Sequence, residues 1–421
     1  MYDFLAIGGG AAGFFAAINV KNKAPGLKVA ILEKQAKVLQ KVKVSGGGRC
    51  NVTHRECSPA ESARNYPRGE SLIENALKKY NSADPKNRLE KRGIALKTEK
   101  DGRVFPVSDS SQTIIDCFLK EARGVDLILQ SRVEKISQTE AGWEVQTPEG
   151  KTYSTRHLMI ATGSDTRVWS TLEQLGLTVT EAVPSLFTFN IADAQLTALQ
   201  GISFDEAEVR KTSPGPSNSG QSRQGQPLLK QRGPLLITHW GLSGPAILKL
   251  SAWGAYVLKE AGYTFEVEVN WLSQRNKNVL EQEIKRNFSE NPKKNIRMLP
   301  VSGVSQRFWN YICVRSGISE FQKGAEGGKK QIAALLENLT SAKSSVNGKS
   351  TFKEEFVTAG GVCLTEVNHD SFESHRYPGL YLGGEVLDID AVTGGFNFQA
   401  AWTAGWLISE HVFHKCSGND S

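Results

Sequence analysis

The sequence lacks the features of a secreted, disulfide-bonded or membrane-spanning protein. Its six cysteines are scattered over 421 residues and form no CxxC pair, so neither a disulfide framework nor a zinc site is indicated. No apolar run is long enough to cross a bilayer. Residues 1–7 lack the cationic start and the cleavage site of a secretory signal. We therefore expect a reduced, cytoplasmic setting, no metal site and no membrane partner.

The chain also has little excess of one charge over the other. The chain has 51 Lys and Arg residues against 44 Asp and Glu residues, a net charge of +7, and no long basic block collects this excess. Short basic stretches at 34–43 and 86–92 could face phosphates, but such stretches are most often solvated faces. Because a nucleic acid binder usually shows a clear basic footprint, nucleic acid is not the favoured partner.

The chain begins with the pattern of a nucleotide-binding fold. Residues 2–7 form a short apolar run that ends at three glycines, and residues 11–20 have the composition of a buried helix. Residues 28–32 are predicted as a second buried strand, which completes a βαβ unit. Further strands are predicted at 126–130, 133–137, 143–147 and 157–162. The predicted fold class is therefore α/β with a Rossmann-like parallel sheet.

Gly8, Gly10 and Gly13 have the GxGxxG spacing between this strand and this helix. The first glycine permits a tight turn, the second lets the backbone approach a pyrophosphate, and the third lets helix and strand pack closely. The helix starting near Ala11 points its free N–H groups at that pyrophosphate. Glu33 is placed to accept hydrogen bonds from both ribose hydroxyls. The pattern predicts a dinucleotide site, with a simple glycine-rich turn as the alternative.

Two further glycine loops indicate which dinucleotide is bound. Residues 45–51, SGGGRCN, carry three consecutive glycines whose backbone can lie against a flat or anionic ligand, with a flexible loop as the alternative. Near the end, Gly384 and Glu385 follow a predicted strand, and residues 393–398 open a helix. An acid after a strand can hold a polyol hydroxyl, and a helix N-terminus can face an electron-rich carbonyl. Together these loops suit the ribityl chain and the pyrimidine end of a flavin.

The motifs resemble those of the BaiN-like NAD(P)/FAD-dependent oxidoreductases over nearly the whole chain. The segments that carry the resemblance are GGGAAG at 8–13, SGGGRCN at 45–51, GRVFP at 102–106, THWGLSGPAIL at 238–248, TAGGV at 358–362 and GLYLGGEVLDIDAVTGGFNFQAAW at 379–402. The resemblance implies a glutathione-reductase-like FAD domain built from both chain ends, with FAD bound non-covalently. The chain departs from the family at 161–164, where the usual Ala-Thr-Gly-Gly is Ala-Thr-Gly-Ser.

The resemblance also implies which residues bind the cofactor. Residues of the first glycine motif and Glu33 would hold the ADP half, residues 45–51 would line the flavin, Glu385 would bind the ribityl chain and residues 395–397 the isoalloxazine. The complete predicted set is Gly8, Gly10, Ala11, Ala12, Gly13, Glu33, Lys34, Ser45, Gly46, Gly47, Gly48, Arg49, Cys50, Asn51, Val133, Ala161, Thr162, Gly163, Gly384, Glu385, Gly394, Gly395, Phe396 and Asn397.

The middle of the chain is predicted to be an insert. The FAD-binding domain would comprise residues 1–189 and 356–421, with a strand-rich insert domain at 190–275 and a helical insert domain at 276–355. The stretch 211–233 is rich in Ser, Gly, Gln and Pro and has almost nothing to bury, so it is predicted as a mobile loop.

A flavin enzyme needs charge stabilisation on the pyrimidine side and a covered pocket on the N5 side. The helix that opens near Asn397 is the candidate for the first task, and residues 238–245 are the candidate for the second. Because only one GxGxxG is present, we expect NADH or NADPH as a transient donor, with hydride passed to a small unsaturated or carbonyl substrate. The alternatives are a flavoenzyme that modifies transfer RNA and a non-catalytic FAD-binding protein.

Candidates for a catalytic side chain are few. His239, beside Trp240 in a predicted loop, could give a proton near neutral pH, with a structural role as the alternative. Arg49 could neutralise charge on the flavin or the substrate, or form a salt bridge that fixes its loop. Cys50, next to Arg49, could be a thiolate or a small packing residue.

Overall fold

The computed structural model describes residues 1–212, 229–350 and 357–418. Most of the predicted mobile loop, residues 213–228, lies outside the described residues. The strands are β1 (Tyr2–Ile7), β2 (Val29–Leu32), β3 (Thr53–His54), β4 (Leu96–Thr98), β5 (Arg103–Pro106), β6 (Val125–Ile128), β7 (Lys135–Thr139), β8 (Gly142–Gln146), β9 (Thr152–Ile160), β10 (Val179–Ser185), β11 (Thr188–Ile191), β12 (Ser203–Lys211), β13 (Lys230–Ile237), β14 (Gly241–Ser243), β15 (Thr264–Asn270), β16 (Ala342–Ser350), β17 (Val357–Val362) and β18 (Leu380–Leu382).

The helices follow the same chain order. They are α1 (Ala11–Lys23), α2 (Gln40–Gly48), α3 (Pro59–Ala63), α4 (Glu70–Leu77), α5 (Ala83–Glu90), α6 (Ser111–Glu121), α7 (Thr166–Gln174), α8 (Ala194–Thr197), α9 (Pro245–Trp253), α10 (Ala255–Glu260), α11 (Lys277–Glu290), α12 (Gln306–Arg315), α13 (Lys329–Thr340) and α14 (Phe396–Cys416). Within the described ranges, none of these helices has both the length and the apolar character needed to cross a bilayer.

The chain forms two compact units. One comprises Met1–Pro184 and Lys353–Ser421 and is called the Rossmann unit below; the other, Ser185–Phe352, is called the barrel unit. An insert therefore separates two parts of one unit, as the predicted fold class requires. The predicted division of the insert at residue 275 into strand-rich and helical domains stays a prediction.

The Rossmann unit is built on a seven-stranded sheet in the order β6-β2-β1-β9-β8-β7, with β18 also paired to β9. The pairs that join β6, β2, β1, β9 and β18 are parallel, while β7 and β8 are antiparallel. Ile7 is in register with Leu32 and with Ile160, so the carboxyl ends of β1, β2 and β9 lie at one edge. Parallel strands of this kind are buried on both faces, which explains the continuous apolar run of β1. The predicted α/β class with a Rossmann-like sheet is confirmed.

Helices from the two ends of the chain pack against each other in this unit. A Cβ at Gly405 of α14 would lie 2.9 Å from the carbonyl oxygen of Ala12 in α1, so the two backbones approach closely. The rings of Phe15 and Trp402 lie 5.2 Å apart beside this contact. The C-terminal helix therefore completes a core that the first thirty residues begin.

The barrel unit is a closed antiparallel barrel in the order β11-β14-β13-β12-β15-β16. Along β15, Phe265, Val267 and Val269 are buried and alternate with more exposed residues, the period of a strand with one buried face. Phe308 of α12 packs against Phe204 at 4.8 Å and against Trp271 at 4.9 Å between ring centres. Closure of the barrel removes the edges that an open sheet would expose.

Candidate functional site

Three glycines with different tasks shape the turn between β1 and α1. Gly8 has a φ of +107°, and a Cβ there would lie 2.4 Å from the carbonyl oxygen of Ala161, so only glycine fits. A Cβ at Gly13 would lie 2.2 Å from the carbonyl oxygen of Gly8, which explains how closely α1 approaches β1. A Cβ at Gly10, in contrast, would meet no atom within 4 Å. The chain itself does not require glycine at position 10, and the space in front of the helix N-terminus is open to a ligand.

Glu33 lies at the end of β2 and holds this turn from the side. Its Oε2 accepts a hydrogen bond from the backbone N–H of Gly9 at 2.8 Å, and its Oε1 accepts one from the N–H of Gln35 at 2.8 Å. Each carboxylate oxygen keeps a further lone pair, so Glu33 can also accept hydrogen bonds from a ribose. Its hydrogen bonds to the loop therefore leave acceptor capacity for a ligand.

The two predicted neighbours of Glu33 are placed differently. Lys34 forms an ion pair with Asp165 at 2.6 Å, and its side chain is half exposed. Val133 lies two residues beyond Ser131, whose N–H donates to the carbonyl oxygen of Glu33 at 2.9 Å. Both residues therefore lie along the edge where β2 ends. Val133 precedes β7 and does not begin it.

The second glycine loop exposes its backbone at the centre. Gly46, Gly47 and Gly48 have φ values of +58°, +70° and +84°. A Cβ at Gly46 would lie 2.9 Å from the ring of Phe105, whereas a Cβ at Gly47 or Gly48 would meet no atom within 4 Å. The loop begins at Ser45, whose Oγ donates to the carbonyl oxygen of Val42 at 2.9 Å. As at Gly10, the chain leaves open space beside bare backbone.

The charged and thiol side chains of this loop serve its anchoring and packing. Nη1 of Arg49 donates to Glu99 at 2.7 Å, and the guanidinium lies 3.9 Å from the centre of the Phe105 ring. Cys50 is fully buried, and this burial raises the pKa of its thiol to about 12. A thiolate is therefore not favoured at neutral pH. This geometry matches the salt-bridge alternative for Arg49 and the packing alternative for Cys50.

Hydrogen bonds join the second loop to the start of α14. With its amide oriented to satisfy both partners, Asn51 accepts the N–H of Gly395 at 2.8 Å and donates to the carbonyl oxygen of Thr53 at 3.0 Å. Nδ1 of His54 lies 3.1 Å from the carbonyl oxygen of Gly394. Two loops separated by more than three hundred residues therefore meet, as the resemblance implied.

The side chain of Asn397 closes the loop that precedes α14. A Cβ at Gly395, where φ is +91°, would lie 2.5 Å from the carbonyl oxygen of Thr53. Oδ1 of Asn397 accepts the N–H of Ala391 at 2.9 Å, and Nδ2 donates to the carbonyl oxygen of the same residue at 3.0 Å. The side chain of Asn397 is thereby committed to the loop. What remains for a ligand is the backbone of the first helical turn, which begins at Phe396.

The residues after β9 and β18 form the third side of the site. Oγ1 of Thr162 is buried and has no hydrogen-bond partner among the described residues, so a polar atom is left for a ligand. A Cβ at Gly163 would lie 3.5 Å from Oε2 of Glu385 and 3.8 Å from Nζ of Lys41. Lys41 and Glu385 form an ion pair. An acid and a cation therefore stand side by side where these strands end.

The remaining predicted residues are small and mediate packing. Ala11 is the first residue of α1. A Cβ at Gly384 would lie 3.1 Å from Cβ of Ala12, and the carbonyl oxygen of Ala161 is the atom against which Gly8 packs. These contacts hold the ends of β1, β9 and β18 close to the N-terminus of α1.

Sequence reasoning missed two ionic contacts in this region. Lys41 pairs with Glu385, and Arg68 forms a bidentate ion pair with the fully buried Asp390. The basic stretch at 34–43 was visible, but nothing in its spacing shows which lysine turns towards the site. The GEVLDID motif showed Asp390, but its partner lies more than three hundred residues earlier.

His239 belongs to the barrel unit. It lies in the turn between β13 and β14, with its ring centre 4.8 Å from that of Trp240. Both lie beside a recess of about 440 Å³ that is also lined by Asn190, Asp193 and Asn347. In the part of the chain that the structure describes, no group of three or more His, Cys, Asp or Glu side chains could hold a metal ion.

Comparison with known proteins gives matches over nearly the full length. A family model described as HI0933-like protein Rossmann domain matches residues 2–411. A ribosomal RNA dihydrouridine synthase of Haemophilus influenzae is 28% identical over 420 residues, covering 96% of this chain and 97% of its own length. A protein of the same name from Escherichia coli K12 is 29% identical and covers 98% of each chain. A 3-dehydro-bile acid delta(4,6)-reductase of Clostridium scindens is 24% identical, covering 95% of this chain and 96% of its own.

Proposed function

The chain belongs to the HI0933-like Rossmann-domain family, and from that premise we propose that it is an FAD-dependent reductase of carbon–carbon double bonds conjugated to a carbonyl. The same match confirms the resemblance to the BaiN-like oxidoreductases. FAD is bound non-covalently by the Rossmann unit, and NADH or NADPH is the electron donor.

One observation carries the cofactor assignment. Gly10, Gly47 and Gly48 are glycines for which a Cβ would meet no atom within 4 Å, although each lies in a loop at the same site. At Gly10, where φ is −82°, neither backbone conformation nor packing requires glycine, so its use is explained by a ligand that lies against the backbone. At Gly47 and Gly48 a positive φ already favours glycine, and the open space beside them leaves room for the same ligand. The buried Oγ1 of Thr162, without a partner among the described residues, supports the same conclusion.

The residues fit the parts of FAD as follows. The N-terminus of α1 and the turn from Gly8 hold the pyrophosphate, because unpaired N–H groups and the helix dipole attract anions. Glu33 accepts hydrogen bonds from the adenosine ribose, and Glu385 accepts them from the ribityl hydroxyls. The loops at 45–51 and 394–397 would line the isoalloxazine.

FAD, when bound, supplies hydride transfer between the donor and the substrate. The residues of this chain orient the cofactor and stabilise the charge that develops on it. The N-terminus of α14 would present a positive dipole end to the pyrimidine side of the flavin and stabilise negative charge there. Tyr66 donates a hydrogen bond from its hydroxyl to the carbonyl oxygen of Phe396 at 2.6 Å, which holds that helix start in place.

The two kinds of relative share one chemistry. Dihydrouridine is uridine whose ring double bond, conjugated to a carbonyl, has been saturated. A delta(4,6)-reductase acting on a 3-dehydro bile acid saturates double bonds conjugated to a ketone. In both cases saturating one double bond adds one hydride and one proton, and the conjugated carbonyl makes a carbon of that double bond electron-poor enough to accept the hydride. We infer the same reaction for this chain.

Within this reaction class we favour uridine in ribosomal RNA as the substrate. The two relatives named for that reaction are 28% and 29% identical to this chain, against 24% for the bile acid reductase. This choice places a nucleic acid ahead of the small molecule that the sequence alone favoured. A small conjugated ketone is the second candidate, supported by the third relative and by the near-even charge of the chain as a whole.

The cofactor and the donor are tested together. We expect the purified protein to show a flavin absorbance spectrum, and anaerobic NADH or NADPH to bleach it. A colourless protein that takes up no added FAD would refute the cofactor assignment. Flavin that stays oxidised with both nicotinamides would refute the donor alone.

The substrate is tested with the reduced protein under anaerobic conditions. An unmodified ribosomal RNA transcript should reoxidise the flavin, and mass spectrometry of the digested RNA should show a uridine that has gained two hydrogen atoms. Reoxidation by a conjugated steroid ketone but not by the transcript would establish the second candidate instead.

A further inference from the structure

Two connecting loops of the barrel unit carry a concentrated positive charge. Residues 291–305 join α11 to α12, and residues 316–330 run from the end of α12 into α13. These thirty residues contain two acidic and six basic residues, an excess of four positive charges in a chain whose net charge is +7. The basic residues are Lys293, Lys294, Arg297, Lys323, Lys329 and Lys330. We call these two segments the basic loops.

Backbone hydrogen bonds hold the basic loops together. Asn295 and Lys323 form an antiparallel bridge. On either side of it, the N–H of Ile296 donates to the carbonyl oxygen of Gln322 at 2.9 Å, and the N–H of Gly324 donates to that of Lys294 at 2.9 Å. The lysines at 293, 294 and 323 therefore project from one rigid ribbon, because the pairing fixes their backbones.

Large apolar side chains stand on the same ribbon. Phe321 is 82% exposed and Met298 is 63% exposed. These are the two highest values among the exposed large hydrophobic residues, and the next is Met1 at 59%. Phe321 is two residues from Lys323 and, in the register of the bridge, lies opposite Arg297. A flat aromatic face among cations is the combination that binds unpaired nucleic acid bases and their phosphates.

The basic stretches at 34–43 and 86–92 are partly neutralised by carboxylates. Among the residues at 34–43 and 86–92, Lys34 pairs with Asp165 and Lys41 pairs with Glu385, while Arg88 and Arg92 both pair with Glu121. In the basic loops, by comparison, Lys293, Lys294, Lys329 and Lys330 are exposed, and no described carboxylate lies within ion-pair distance of them. Their charge is available to a partner.

We propose that the basic loops are a docking surface for an unpaired segment of RNA, with phosphates on the lysines and a base stacked on Phe321. The proposal rests on the proposed function, since it assigns the surface that captures the RNA substrate. The complementary charge of the phosphates selects a nucleic acid, and the exposed ring selects bases that are not paired.

The test measures binding of fluorescein-labelled oligouridylate to the FAD-loaded protein by anisotropy. Lys293→Gln/Lys294→Gln should weaken binding about tenfold and lower the slope of log Kd against log salt by about 1.4, the value for two phosphate contacts on a single strand. Phe321→Ala should weaken binding about fivefold or more without changing that slope, because stacking does not release counterions. FAD content and the thermal midpoint show that each variant is folded.

Lys277→Gln/Lys343→Gln is the matched control, because it removes two exposed lysines of the same unit that lie outside the basic loops. This control should bind like the wild type. Equal weakening by both double variants would overturn the proposal. If the wild type reduces the ribosomal RNA transcript while Lys293→Gln/Lys294→Gln binds unchanged, the surface is wrong and the function stands. If the wild type neither reduces the transcript nor binds oligouridylate, both fail.

Discussion

Gly241 and Gly244 of the barrel unit and Gly10 of the Rossmann unit are glycines for different reasons. In the barrel unit, a Cβ at Gly241 would lie 2.3 Å from the carbonyl oxygen of Phe189, and one at Gly244 would lie 2.9 Å from that of Pro234. In the Rossmann unit, a Cβ at Gly10 or Gly47 would meet nothing within 4 Å. The fold itself requires glycine at 241 and 244, whereas neither packing nor backbone conformation requires it at 10, where φ is −82°. A glycine motif therefore indicates function where the backbone around it is open.

The largest effect is expected from a glycine that the fold requires. Gly241→Val should lower the free energy of unfolding by about 3 kcal/mol or more, because the side chain overlaps the backbone of β11 and the residue keeps a strained positive φ. Urea denaturation followed by tryptophan fluorescence measures this. Wild-type stability of the variant would show that the barrel adjusts to the side chain and that the fold does not require glycine at position 241.

A glycine that faces open space should give the reverse result. Gly10→Val should weaken FAD binding at least about a hundredfold, which is about 2.7 kcal/mol, because the side chain fills the space meant for the pyrophosphate. The free energy of unfolding of the apoprotein should change by no more than about 1 kcal/mol, the range of N-cap preferences. Flavin titration and urea denaturation measure the two quantities.

Gly26→Val is the control for this variant. A Cβ at Gly26 also meets no atom within 4 Å, but the residue lies in the turn before β2, away from the glycine loops. It should keep both stability and FAD. Full FAD affinity in the Gly10→Val protein would show that the pyrophosphate lies elsewhere.

A smaller difference between the units should appear on acidification. Burial lowers the pKa of His157 in the Rossmann unit to about 4. Its folded pKa is below the unfolded value, so the unfolded state takes up the proton first as pH falls, and stability present above pH 6.5 is lost towards pH 4. Between pH 7 and pH 5 the free energy of unfolding should fall by about 2 kcal/mol from this group.

His157→Gln should remove this part of the pH dependence in urea denaturation at the two pH values. His239→Gln replaces the single histidine of the barrel unit, which is exposed, and should leave the dependence unchanged. An unaltered slope in the His157→Gln protein would mean that other groups cause the acid sensitivity.

Much of the Rossmann unit could be predicted from local pattern. The apolar run of β1, the glycines after it and the carboxylate of Glu33 lie within one βαβ unit, where spacing along the chain sets spacing in the fold. Helical spacing of apolar residues likewise predicts helices at 277–288, 305–314 and 329–339, and the structure has helices at 277–290, 306–315 and 329–340. That residues 45–51 and 393–398 serve one ligand is a prediction from their glycines, from the acid after a strand and from the family resemblance; the structure brings the two loops together.

Other features had no local signal. Charge along the chain drew attention to residues 34–43 and 86–92, yet carboxylates from distant segments neutralise several of those cations, while the basic loops keep theirs. The sequence predicts that Asn397 faces a flavin, but it does not show that the side chain of Asn397 is hydrogen-bonded to Ala391, which leaves only its backbone for a ligand. Closure of the barrel could not be predicted, because strand pairing between distant segments leaves no periodicity in either segment alone.

By itself, the sequence determined the periods of its strands and helices and the positions where a turn needs glycine, since both depend on neighbours a few residues away. Tertiary structure decided which charges are paired, which side chains are consumed by their own loops and which backbone faces open space. Those properties depend on atoms that meet only after residues hundreds of positions apart have packed together, because burial and ion pairing are set by distance in space.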